Sequence, residues 1–302
     1  NLISSIFRGL GDSKSPMYFI AVACAANIAL DYLFMGALGL GPAGAALGTT
    51  LSQAVSVAVS LAVILKRKSI VLEKSDFRPC RPIMGKILKM GVPIAVQDGL
   101  IQVAFLIITI IVNRRGLNDA AAVGIVEKII SFLFLVPSSL LSTVSALGAQ
   151  NIGAGKPGRA AQTLRYAIML ATGFGVLATV TVQFIAEPIV ALFTDSSTAN
   201  GAEVVRFGGQ YLRGYIFDCI FAGIHFSFSG YFCACGKSSL SFLHNIVAIA
   251  LVRVPGVYLT SRLFPTTLFP MGLATATGSL LSVIICLIAF AIIRRKSPLV
   301  QP

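Results

Sequence analysis

The sequence predicts an all-α polytopic membrane protein, a helix bundle built in two lobes. Three observations predict it. The 302 residues are 56% hydrophobic and only 12% charged, with mean hydropathy +0.87, whereas soluble chains carry roughly 25% charged residues. Apolar runs of about 20 residues, the length that crosses a bilayer, recur from end to end. Between them lie short connectors rich in Gly, Pro, Asn and Asp. So few charges cannot cover a water-facing surface, and none of the runs alternates like the strands of a barrel.

Taken in order, the runs are Pro16–Leu38, Ala43–Leu65, Gly91–Val112, Ala120–Leu147, Leu164–Phe193, Val204–Ala234, Leu240–Leu263 and Met271–Ile293, with a partial one ending near Leu10. The one long connector carries Lys66, Arg67, Lys68, Lys74, Arg78, Arg81, Lys86 and Lys89. It divides the chain into residues 1–65, the C-terminal part of a first bundle; 66–90, a basic linker; 91–296, a second bundle of six helices; and a tail, 297–302. Placing the linker in the cytoplasm puts 17 of the 24 basic residues on or beside the same face, as polytopic proteins require. The C-terminus is then cytoplasmic, and the net charge of +13 needs no nucleic acid to explain it. The expected location is the plasma membrane, multi-pass, with no obligate protein partner implied. The six cysteines lack metal-ligand spacing and imply no disulfide framework.

An internal repeat sharpens the architecture. Phe7-Arg-Gly-Leu-Gly-Asp-Ser-Lys-Ser precedes two runs joined by Gly39-Leu-Gly-Pro-Ala-Gly-Ala-Ala. About 225 residues later, Phe232-Cys-Ala-Cys-Gly-Lys-Ser-Ser precedes two runs joined by Phe269-Pro-Met-Gly-Leu-Ala. Both units end in a basic cluster. The repeats have one topology, so their axis lies along the membrane normal, as in other two-lobed transporters. Lys86–Tyr231 has no counterpart upstream, so a parent of about 450 residues is expected, with about 145 preceding Asn1.

Arg8-Gly-Leu-Gly-Asp-Ser-Lys-Ser-Pro, Asn27-Ile-Ala-Leu-Asp-Tyr and the Gly39 turn resemble the fourth to sixth helices of the multidrug and toxin extrusion (MATE) family. Gly91-Val-Pro-Ile-Ala, Gly148-Ala-Gln-Asn-Ile-Gly-Ala-Gly-Lys-Pro and Gly230-Tyr-Phe-Cys-Ala-Cys-Gly-Lys resemble its second lobe. The resemblance implies two six-helix bundles in a V and a secondary active antiporter, in which alternating access of the lobes exports cationic or amphiphilic small molecules in exchange for H+ or Na+. No cofactor beyond that coupling ion is implied. The family's first three helices, one of which carries an acid held to bind the ion, have no equivalent in these residues. Where many members place Glu after Gly-x-Pro, this chain has Ile101, with Asp98 about one turn earlier. Where a later helix usually carries its acid, it has Ala222, with Asp218 about one turn earlier.

Ionisable groups within the runs are the chemistry open to direct reading, because a mid-bilayer charge costs at least about 2.5 kcal/mol and so faces protein or a wet cavity. Asp98 leads Gln102 and Thr109 at helical spacing, and Asp218 leads His225 and Ser229. Asn27 and Asp31 are i,i+4 neighbours. Glu127 leads Ser131, Ser138 and Ser142, with Lys128 beside it. The spacing predicts one polar cavity shared by Asp98 and Asp218, lined by Gln102, Thr109, His225 and Ser229. The competing expectation is a structural pair between Asp218 and Arg253. Pro137, Pro188 and Pro255 mark sites where helices kink or break. A lipid-linked saccharide flippase on a related scaffold and an inactive fragment of an exporter remain as alternatives. An intramembrane enzyme is disfavoured, since neither H-E-x-x-H nor G-x-S-x-G is present.

Overall fold

A computed structural model describes residues 2–67, 78–195 and 197–296. Eight helical stretches in it are long and apolar enough to cross a membrane, and they coincide with the eight apolar runs. The chain divides into two compact units, Asn1–Arg81 and Pro82–Pro302.

In the first unit α1 (Leu2–Gly9) leads into α2 (Lys14–Asp31), which loosens into a π-helical stretch, Tyr32–Ala37, before α3 (Gly41–Arg67) returns along it. The α1 terminus is a Schellman turn. Gly11, at φ 90°, donates its N–H to the Arg8 carbonyl (3.1 Å), and Asp12 donates to that of Phe7 (2.9 Å). Such a turn needs a left-handed residue just past the helix, which glycine supplies at little cost. Asp12 then starts α2, its Oδ1 accepting from the backbone N–H groups of Lys14 and Ser15. Phe7 and Phe19 cross edge to face at 5.5 Å and pack with Ile64 as the small core.

The second unit contains α4 (Arg81–Asn113), α5 (Leu117–Leu133), α6 (Leu135–Gly153), α7 (Pro157–Ala191), α8 (Ala199–Tyr215), α9 (Phe217–Ala234), α10 (Ser238–Ala248), α11 (Val254–Leu263) and α12 (Phe269–Lys296). Three spans are composite. Pro137 cannot donate to the Leu133 carbonyl, and the helix breaks next to it, at Phe134, between α5 and α6. Pro255 cannot donate to Leu251, and a π-helical stretch, Ile249–Arg253, fills the gap between α10 and α11. Both follow from the missing proline N–H. A third break, at Ile216, separates α8 from α9. Pro188, by contrast, lies within α7 without interrupting it.

The α8–α9 span is the most buried of the eight, and α6, α7 and α12 all pack on α9. Gly214 of α8 and Gly272 of α12 each face the other helix's backbone, so that a Cβ on either would strike a carbonyl oxygen. Small residues of this kind let membrane helices approach without side chains between them. At the far end Arg115, in the α4–α5 turn, uses all five of its N–H donors. Nε reaches Asp119 at 2.6 Å, and the two terminal nitrogens reach the carbonyls of Ser261, Phe264, Pro265 and Thr267 at 2.8–3.3 Å.

The structure narrows the expected linker. α3 runs to Arg67 and α4 begins at Arg81, so residues 81–90 are helix rather than connector. Residues 68–77 and the tail 297–302 lie outside the described residues. The repeat reappears in the backbone. Gly236, at φ 70°, donates to the Cys233 carbonyl (2.9 Å) and Lys237 to that of Phe232 (2.8 Å), the same turn as at Gly11.

Candidate functional site

The polar stripe of α9 points into the middle of the second unit. Asp218 is fully buried, and Arg253, the last residue of the π-helical stretch, donates from Nη2 to its Oδ2 at 2.5 Å. The Arg253 side chain is 14% exposed. Ser279 of α12 lies beside the same carboxylate, and the fully buried Tyr211 and Tyr215 of α8 flank the pair. Of the two expectations for Asp218, the ion pair with Arg253 is the one found.

Two turns along α9, the ring of His225 meets Phe226 (4.8 Å) and His244 of α10 (5.5 Å) edge to face. His244 Nε2 is 2.9 Å from Ser229 Oγ. Both imidazoles keep a buried Nδ1 without a hydrogen-bond partner among the described residues. A cavity of about 90 Å3 lies against His225, Asn245, Arg253 and Ser279, and its apolar wall includes Ile101 and Ala222. That volume admits a few waters or an ion but is far below the roughly 300–1,000 Å3 of sites for drug-sized molecules. The two positions where the MATE resemblance leads one to expect acids thus meet at one cavity, and in this chain both are apolar.

The shared cavity expected for Asp98 and Asp218 does not form. α4 turns Gln97, Ala104, Ile108 and Val112 into the bundle, with Gln97 accepting from Ser241 at 3.2 Å. Asp98, Gln102 and Thr109 lie on its exposed side, where Thr109 bonds the Phe105 carbonyl of its own helix. Positions 98 and 101 are three residues apart, but only Ile101 reaches the cavity. In a helix apolar on nearly every side, the stripe read from the sequence marked a polar edge rather than the edge turned into the bundle.

Glu127, on α5, is half-buried, and its Oε1 has no hydrogen-bond partner among the described residues. Ser131 bonds the Glu127 backbone carbonyl rather than the carboxylate. Ser138 and Ser142 lie past the Phe134 break, where the helical phase changes, so the stripe does not continue. In the first unit Asn27 donates to Asp31 at 3.4 Å, and Asp31 lies against Gly48 so closely that a Cβ there would collide with its Oδ1. Missed by the sequence reading were Gln97, Asn245, Ser279, Ser282 and the bond of His244 to Ser229. Ser241/Asn245 and Ser279/Ser282, polar pairs at i,i+4 and i,i+3 in otherwise apolar runs, were the available signal.

The chain is similar to known proteins in sequence and in fold. The MatE family matches residues 93–259. The "Probable multidrug resistance protein YpnP" of Bacillus subtilis is 29% identical over 92% of this chain and 60% of its own length. Multidrug export protein MepA of Staphylococcus aureus is 24% identical over 88% of this chain and 58% of its own. The crystal structure of a mutant of the Vibrio cholerae MATE transporter VcmN superposes with TM-score 0.89 at 18% identity, over 99% of this chain and 66% of that one. The chain therefore spans less than two thirds of the length of the curated relatives it matches. On the family match and the fold together, the chain belongs to the MATE family of multi-pass membrane transporters.

Proposed function

We propose that the chain forms the greater part of a secondary active antiporter. It exports cationic or amphiphilic small molecules in exchange for H+ or Na+, through alternating access of two lobes in the plasma membrane. The unpaired carboxylates Asp31 and Asp98 carry the cation chemistry, and Asp218 does not. One observation supports this reading above the others: the in-span acids divide into two kinds. Arg253 takes Asp218, whereas Asp31, Asp98 and Glu127 have no salt-bridge partner among the described residues, and of these three only Glu127 has a cation, Lys128, next to it in the chain. A neutralised acid inside a bundle holds helices together. An unpaired one can alternate between a proton, a coupling ion and a cationic cargo. Gln102 and Thr109 continue the Asp98 face, and Asn27 shares Asp31. The names of the relatives, multidrug resistance and multidrug export proteins, favour amphiphilic cargo.

The test is efflux of a fluorescent lipophilic cation from vesicles holding the complete protein, driven in turn by a proton and a sodium gradient. Asp98→Asn and Asp31→Asn should lower the rate at least roughly tenfold, the scale of losing one hydrogen bond to a charged group, at a cost in stability of under about 1 kcal/mol. The double variant Asp218→Asn with Arg253→Met should keep most of the parent rate. Parental efflux by Asp98→Asn, or a dead double variant that folds normally, would overturn the assignment.

A further inference from the structure

α7 and α12 both pack on α9 and leave between them a furrow of about 850 Å3. Its two ends differ in chemistry. Arg159 and Arg165, in the first turns of α7, and Arg294, near the end of α12, line the basic end. From there the furrow is walled by Ile168, Met169, Leu287 and Phe290 and floored by the buried Phe228, whose ring meets Phe290 edge to face at 5.7 Å. No Asp or Glu lines the furrow, and none of the three arginines has a carboxylate partner among the described residues. From Arg294 to Leu287 is seven residues, about 10 Å along the helix. The cationic end is thus followed by an apolar channel running towards the bilayer centre.

We propose that this furrow is a binding site for an anionic membrane phospholipid. The lipid phosphate is held by Arg159, Arg165 and Arg294, and one acyl chain lies along Met169, Leu287 and Phe290. Three features select that occupant. The site opens on a surface made for lipid, with Met169 60% and Leu287 52% exposed. Its polar groups are unpaired guanidinium groups, which suit phosphate oxygens. They stand at the basic end of the spans, where pockets between helices attract acidic headgroups. A soluble anion would leave the apolar length of the furrow without a counterpart, and a zwitterionic lipid would leave the net charge unmatched. The inference concerns a different surface from the cavity near Asp218 and does not depend on the transport assignment.

The chain contains no tryptophan, which gives a direct assay. In the full chain Met169→Trp places a reporter in the furrow. Leu177→Trp, two turns deeper on α7 at a position 66% exposed, is the control. Each protein is reconstituted in phosphatidylcholine vesicles containing a small fraction of acyl-brominated phosphatidylglycerol or, in parallel, acyl-brominated phosphatidylcholine. At position 169 the brominated phosphatidylglycerol should quench at roughly tenfold lower mole fraction, the scale expected of a few arginines at a membrane surface. At position 177 the two lipids should quench alike. Replacing Arg159, Arg165 and Arg294 by Gln should erase the preference. If the triple variant does not fold, Arg165→Gln alone should reduce it severalfold. Equal quenching by the two lipids at position 169 would overturn the proposal. So would a preference of the same size at position 177, or one that persists without the arginines.

Discussion

The two repeated helix pairs, α2–α3 and α10–α12, share a frame and differ in charge. Each opens after the same Schellman turn, at Gly11 and at Gly236, and each loosens into a π-helical stretch. Each sets one charged residue against a glycine of the returning helix, Asp31 against Gly48 and Arg253 against Gly278. In the first pair the charge is an acid whose hydrogen-bond partner is the neutral Asn27. In the second it is a base that takes its acid, Asp218, from α9. One backbone plan thus serves two ends. It leaves a carboxylate uncompensated in one unit and spends its charged residue on cohesion in the other.

The largest expected effect tests that cohesion. Asp218→Asn alone leaves the Arg253 cation buried without its counter-ion, a loss of about 3–5 kcal/mol. Adding Arg253→Met should recover most of it, because a pair replaced by apolar groups is close to neutral. Asp31→Asn in the first unit should cost under about 1 kcal/mol. A thiol-reactive dye can follow melting through Cys219 and Cys286, both fully buried, once the exposed Cys24 and Cys80 are replaced by Ser. Equal losses for Asp31→Asn and Asp218→Asn would break the comparison.

A smaller effect separates the two glycines. An Ala Cβ at position 278 would lie 3.0 Å from Arg253 Cβ and 3.5 Å from its Cα, so the backbone at Arg253 must give slightly, at about 1–2 kcal/mol. At position 48 the colliding atom is the far end of the Asp31 side chain, which can rotate away. Gly48→Ala should therefore melt closer to the parent than Gly278→Ala. The opposite order would mean that Asp31 is held as firmly as Arg253. The smallest difference is expected at the shared turns. Gly11→Ala and Gly236→Ala both force a left-handed side-chain residue, so each should cost about 1–2 kcal/mol, and the two should agree within about 0.5 kcal/mol. A clear inequality in melting would mean that the repeat is one of sequence more than of energetics.

What was legible in the sequence followed from strong local signals. Hydropathy located all eight spans, since length and apolarity decide a membrane helix almost alone. The prolines at 137 and 255 marked two of the three breaks. The third, at Ile216, has no proline near it, and Gly214, two residues before it, was the local signal available. Within the site, Asp218, His225 and Ser229, read as one stripe, are all buried on α9, a helix enclosed on most sides whose polar groups must find protein partners. On α4 the same logic picked the exposed edge, outside the bundle cavity. There lipid and bundle are equally apolar, and Asp98 stands out in the sequence while the residue turned inward, Gln97, sits one position away. His244 looked inert because its partner, Ser229, lies on another helix, a proximity that spacing along one helix cannot express.

The five bonds of Arg115 have a mechanical consequence. Four of them tie the α4–α5 turn to Ser261 of α11 and to the strap that follows it, so this tip of α11 is clamped. The same span is thinned partway along, where Pro255 and the π-helical stretch remove regular rungs. A rod clamped at one end and notched near its middle bends most easily at the notch, and beyond the notch α10 is itself held, His244 by Ser229 and Ser241 by Gln97. The notch coincides with Arg253, so any flexing of the rod moves the one cation that holds Asp218. Clamp, notch and buried charge thus lie along a single span.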